Sequence, residues 1–133
     1  MRAGLNVYVD KPLVIDSEGF EKWKLAIKIA EEKGIPSHVA FFGVQTAKDL
    51  VSQDKKADLL LGNNVLAHVP DINDFVGGMK VLLKPNGVIT MEFPHLMKLM
   101  ELNQFDTVYH EHFSYLSFYT VQKIFAHHGI TLF

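Results

Sequence analysis

Apolar positions along this 133-residue chain change period repeatedly, and the changes mark its elements. Asn6-Val7-Tyr8-Val9 is a short β-prone run closed by Asp10-Lys11-Pro12, where proline disfavours a helix. After the capping residues Asp16, Ser17 and Glu18, Phe20, Trp23, Ala26, Ile27 and Ala30 recur at helical spacing until Gly34 and Pro36 stop them. His38–Phe42 predicts a strand ending at Gly43, and Thr46–Val51 a helix with Ala47, Leu50 and Val51 facing inward. Ala57–Gly62 is a continuous apolar run of the kind buried inside parallel sheets, and it delivers Asn63 and Asn64 at its carboxyl end. Asp71 caps a predicted helix carrying Phe75, Met79, Leu82 and Leu83, which Lys84-Pro85-Asn86-Gly87 ends. Val88–Phe93 predicts a strand closed by Pro94. Leu96–Leu102 and Thr120–His128 predict helices, and Ile130–Phe133 reads as a last strand cut short.

Strands alternating with helices at short spacing predict an α/β domain with a mostly parallel sheet flanked by helices. Residues 1–133 are expected to form a single domain, and the abrupt last strand suggests part of something larger. With 48% hydrophobic and 21% charged residues, the chain resembles an ordinary folded protein rather than a disordered one. A formal net charge of -2 supplies no basic stripe, so no nucleic-acid partner is expected. The absence of cysteine excludes disulfides and thiolate metal sites. No apolar run approaches the ~20 residues of a membrane span, so a cytoplasmic protein without a membrane partner is expected.

Candidate chemistry concentrates in Tyr109-His110-Glu111-His112, between the apolar residues Phe105, Val108 and Phe113. A phenol, two imidazoles and a carboxylate in four positions suit acid–base work in a half-buried site; a solvated polar loop is the alternative. Open parallel sheets bind ligands beyond the carboxyl ends of their strands. Asn63 and Asn64 with His68, and Glu92 with His95, stand at two such ends. Each asparagine reads either as a ligand contact or as a helix cap, and His68 either as a site residue or as a packed core histidine. Glu92 is either functional or satisfied by backbone amides. His110, His112, His127 and His128 are the histidines available to a metal, but the sequence places no third ligand and no metal is expected.

From Ala57 to Phe133 the chain resembles S-adenosylmethionine-dependent C-methyltransferases acting on nucleotide-linked deoxysugars. The resemblance is carried by Asp58-Leu59-Leu60-Leu61-Gly62-Asn63-Asn64-Val65-Leu66-Ala67-His68-Val69-Pro70-Asp71, by Leu82-Leu83-Lys84-Pro85-Asn86-Gly87, by Glu92-Phe93-Pro94-His95-Leu96 and by Phe105–Phe113. Upstream, Ala30–Pro36 and Phe41-Phe42-Gly43-Val44 are also similar to that family. It implies an incomplete Rossmann-like domain, S-adenosylmethionine as cofactor and a nucleotide-sugar substrate. It implies His112 as general base, with Tyr109, Glu111 and His68 lining the same pocket and Asn63 and Asn64 facing the methyl donor. The family pattern does not fix His110.

Two parts of the family pattern are absent from this sequence: the Gly-x-Gly-x-Gly turn after the first strand, and the acidic residue closing the second, where Lys22-Trp23-Lys24-Leu25 stands instead. Gly4–Leu13, with its Asp10-Lys11-Pro12, resembles a different family, the NAD(P)-dependent sugar oxidoreductases of the glucose–fructose oxidoreductase type. That likeness extends to Gly34 and implies a nicotinamide-side role for Lys11 and a fusion near Ala26–Gly34. Three functions are therefore weighed: an incomplete methyltransferase, an oxidoreductase remnant, and a non-catalytic domain. In the last, a second copy or a partner chain would cover the open sheet edge.

Overall fold

The computed structural model describes residues 17–38 and 40–133. The expected strand Asn6–Val9, Asp10 and Lys11 lie outside the described residues. Among the described residues five α-helices and two strands follow in the order α1 (Ser17–Glu32), α2 (Val44–Ser52), β1 (Ala57–Asn63), α3 (Ile72–Leu82), β2 (Leu83–Glu92), α4 (Leu96–Glu101) and α5 (Phe118–His127). Single 3-10 turns occupy Leu66–His68 and Phe105–Thr107.

Four helices stop for one physical reason. At the ends of α1, α2, α4 and α5 the chain enters the left-handed region at Gly34, Asp54, Asn103 and Gly129. The following N–H then reaches back five residues, as Ile35 does to Ala30, Lys55 to Leu50, Gln104 to Leu99 and Ile130 to Phe125. Glycine, asparagine and aspartate tolerate that backbone, and the bonds satisfy carbonyls the helix leaves open. Helix α3 begins with the Asp71 carboxylate accepting the Asn73 and Asp74 N–H groups, both at 3.0 Å. Helix α2 has no side-chain cap of its own; instead Asp74 of α3 accepts the Val44 N–H at 3.1 Å.

Strands β1 and β2 pair in parallel, with α3 as the crossover between them. Ala57 pairs with Leu83 and Leu59 with Val88, so Lys84-Pro85-Asn86-Gly87 loops out of the ladder. Asn86 takes a positive φ of 66° in that excursion. Helix α3 ends at Leu82, just before this tetrapeptide as expected, and the tetrapeptide itself is an excursion within β2. One sheet face meets the core, built from Ala47 and Leu50 of α2, Leu60 of β1, Phe75, Val76, Met79 and Leu82 of α3, and Val121 and Phe125 of α5. Lys80 reinforces the packing of α3 on α5 by donating to the Gly129 carbonyl at 2.9 Å.

Three expectations need correction. The apolar run of β1 is not buried on both faces: Leu59 and Leu61 are 37% and 40% exposed, beside an equally open Val88. A strand at His38–Phe42 does not form among the described residues, since β1 pairs only with β2 and offers no ladder there. The Phe41 carbonyl instead accepts the Thr46 hydroxyl at 2.6 Å, and the Phe42 ring meets Phe75 edge-on at 5.5 Å. Ile130–Phe133 likewise stays outside any sheet. The architecture remains α/β, an incomplete Rossmann-like arrangement with a parallel sheet flanked by helices.

Candidate active site

The loop between α4 and α5 is tied to the segment after β1 by backbone bonds. The Phe113 and Ser114 N–H groups both donate to the Ala67 carbonyl, at 2.8 and 3.2 Å. This places His112 against His68, with ring centroids 4.6 Å apart, although 44 residues (112 − 68) separate them in sequence. Both are buried, at 8% and 2% exposure. Carbonyl oxygens face one nitrogen of each ring: Thr107 O lies 2.8 Å from His112 Nδ1, and Glu111 O lies 3.0 Å from His68 Nδ1. A carbonyl only accepts, so each Nδ1 carries a hydrogen. In neutral His112 the basic lone pair therefore sits on Nε2, which is buried and has no hydrogen-bond partner among the described residues.

The other expected residues divide. Tyr109 lies tilted against His112, at 4.2 Å and 36°, and is itself 41% exposed. Glu111 contributes its carbonyl to His68, while its side chain faces solvent, as does that of His110. Asn63 and Glu92 are register partners at the carboxyl ends of the two strands, and both are exposed. Asn64 follows with a φ of 51°, its N–H donating to the Glu92 carbonyl at 2.9 Å. His68 also borders a cleft of about 230 Å³ whose other walls include Phe41, Phe42, Val69, Pro70, Asp71, Asp74 and Phe75.

Two further residues stand near the cluster: Tyr115, which the sequence did not single out, and His95, expected at a strand end with Glu92. Tyr115 meets the His112 ring edge-on, at 5.7 Å and 87°. His95 bridges to Leu116, and its Nε2 accepts the Phe118 N–H at 3.3 Å. Tyr115 lies only three residues beyond His112, a spacing that could have signalled it; the pairing of His95 with Leu116 and Phe118 leaves no local trace. Among the described residues no group of three or more histidine or acidic side chains is arranged to hold a metal. His127 and His128 meet edge-on at the end of α5, with ring centroids 5.1 Å apart, and His128 Nε2 meets Asn73 Oδ1 at 3.1 Å. Among the described residues no helix is long and apolar enough to cross a membrane.

Asn63, Asn64 and Glu92 stand exposed at the carboxyl ends of the paired strands, the end at which open parallel sheets bind ligands. On the other side of β1 the described residues place no further strand.

The family model described as a methyltransferase domain matches residues 20–127. The chain is also 35% identical, over 102 residues, to C-methyltransferase NovU of Streptomyces niveus; the match covers 77% of this chain and 24% of that protein. It thus spans about a quarter of the relative's length. Neither match supports the oxidoreductase resemblance of residues 4–34. With its parallel β1–α3–β2 unit and a family match over most of its length, the chain belongs to the methyltransferase-domain family.

Proposed function

We propose that this chain carries the substrate-side part of an S-adenosylmethionine-dependent C-methyltransferase. Its substrate would be a nucleotide-linked deoxysugar methylated at a carbon next to a ketone. One observation carries the reading: the buried His112 imidazole, with Nδ1–H held by the Thr107 carbonyl and the lone pair left on Nε2. That is the form a general base needs before it takes a proton. His112 Nε2 removes the proton from the carbon next to the ketone, and the electron pair moves onto the ketone oxygen as an enolate. Tyr109 lies against the base and offers a phenol to the sugar, while His68 and the Glu111 carbonyl hold the opposite side. Because Nε2 is buried, substrate entry requires its cover to move.

When bound, S-adenosylmethionine supplies an electrophilic methyl group, and Asn63 and Asn64 are the residues here that would face it. The C-methyltransferase name of the relative supports carbon as the acceptor. The outer edges of the two-stranded sheet, unpaired among the described residues, support a second copy or a partner chain covering the open sheet edge.

Loss of deuterium from the carbon next to the ketone of a labelled nucleotide-linked ketosugar tests the base without requiring methyl transfer. His112→Ala should slow that exchange by about 10²–10⁴-fold. An exchange rate indifferent to this substitution would remove His112 from the role.

A further inference from the structure

Three rings surround the His112 imidazole. Tyr109 is tilted at 36° to it, His68 at 59°, and Tyr115 stands at 87° to it. The first two have a place in the proposed reaction, and Tyr115 has none. A single hydrogen bond to the Thr107 carbonyl leaves an imidazole free to pivot about that bond, so ring contacts must fix its plane. Tyr109 is poorly suited to do this alone, being 41% exposed.

Tyr115 is better anchored. The next residue, Leu116, is buried, bridges to His95, and accepts the Leu96 N–H at 2.9 Å. Two residues farther on, the Phe118 N–H donates to His95 Nε2, and Ser117 caps α5. Tyr115 therefore stands where the chain is fastened to the start of α4 and leads into the start of α5. Its hydroxyl lies 3.5 Å from the Tyr109 carbonyl, a long contact that contributes little beside the ring.

We propose that Tyr115 is a positioning residue for His112: its half-buried ring closes one side of the imidazole and keeps Nδ1–H on the Thr107 carbonyl, with the lone pair on Nε2. The proposal gives a catalytic meaning to this contact only if His112 is the base, so it rests on the reading above. Its test does not depend on activity.

Long-range 1H–15N NMR of the labelled chain reads the tautomer of each histidine directly. Wild type and Tyr115→Phe should both show His112 protonated at Nδ1, because both keep the ring. Tyr115→Leu should raise the minor Nε2–H tautomer by about fivefold, the order of factor carried by an edge-to-face ring contact. If Tyr115→Leu does not fold, Tyr115→Met, unbranched and without a ring, takes its place. Wild type should also show magnetisation transfer between the Tyr115 and His112 ring protons. A folded Leu or Met variant with the wild-type His112 pattern would overturn the proposal. So would Tyr115→Phe losing as much as Leu, or no transfer between the two rings in wild type. If the tautomer responds as expected while deuterium exchange ignores His112, the proposed function fails and the positioning contact stands.

Discussion

Helix α3 carries two adjacent glycines, Gly77 and Gly78, at helix-interior positions where each costs about 1 kcal/mol relative to alanine. Propensity alone makes Gly→Ala stabilising at both, and packing separates them. A Cβ on Gly78 would lie 2.6 Å from the Gly43 carbonyl carbon and 2.7 Å from its oxygen. Ordinary contact begins near 3.4 Å, so the shortfall is about 0.8 Å (3.4 − 2.6), and it falls on backbone that cannot rotate away. Overpacking of this kind costs about 1–3 kcal/mol, which exceeds the propensity gain. Gly78→Ala should therefore lose about 1 kcal/mol net and melt roughly 3–6 °C lower by circular dichroism. At Gly77 the nearest atom is a Val44 methyl at 3.0 Å, a side chain that can give, and the net change should stay within about 0.5 kcal/mol. The site should feel only the first change, because the Gly43 turn positions Phe42 in the cleft wall it shares with His68. A Gly78→Ala chain melting at or above wild type would show that close approach of α3 to this turn is not what excludes a side chain.

Asp71→Ala removes the acceptor for two N–H groups at the start of α3 and should cost about 1–2 kcal/mol in urea unfolding; an unchanged midpoint would mean that water caps the helix equally well. Calorimetry of the chain with S-adenosylmethionine should show no saturation below about 1 mM, equivalent to −4.1 kcal/mol, because the sequence lacks the Gly-x-Gly-x-Gly turn and the described residues place no strand beside β1. Micromolar binding would show that Asn63, Asn64 and their surroundings suffice.

Local signals in the sequence were reliable where local physics decides. Asp71, Gly34 and Gly129 announced helix ends that the structure closes with the bonds those residues favour. The Leu-rich run of β1 announced a strand but not its burial, since burial depends on what lies across the sheet. A strand at His38–Phe42 failed for the same reason: strand propensity needs a partner ladder, and none is present there among the described residues. In the site, the Tyr109–His112 tetrapeptide drew attention by composition alone. Its division into a buried imidazole and exposed His110 and Glu111 side chains came from tertiary bonds to Ala67 that no local pattern encodes. The contact of Tyr115 was hidden because an aromatic residue beside an apolar one reads simply as core.

The parallel pairing of β1 and β2 also sets a timetable. Parallel neighbours cannot zip from a tight turn, so β1 must wait for α3 and then for its partner. Leu59 pairs with Val88, 29 residues later (88 − 59). At a synthesis rate of about 5–20 residues per second, that delay is roughly 1.5–6 s. Throughout it, Leu59-Leu60-Leu61 leaves the ribosome as an unpaired, aggregation-prone β segment, with Asp58 as its nearest charged gatekeeper. The nascent chain is thus most in need of a chaperone before the crossover helix is complete.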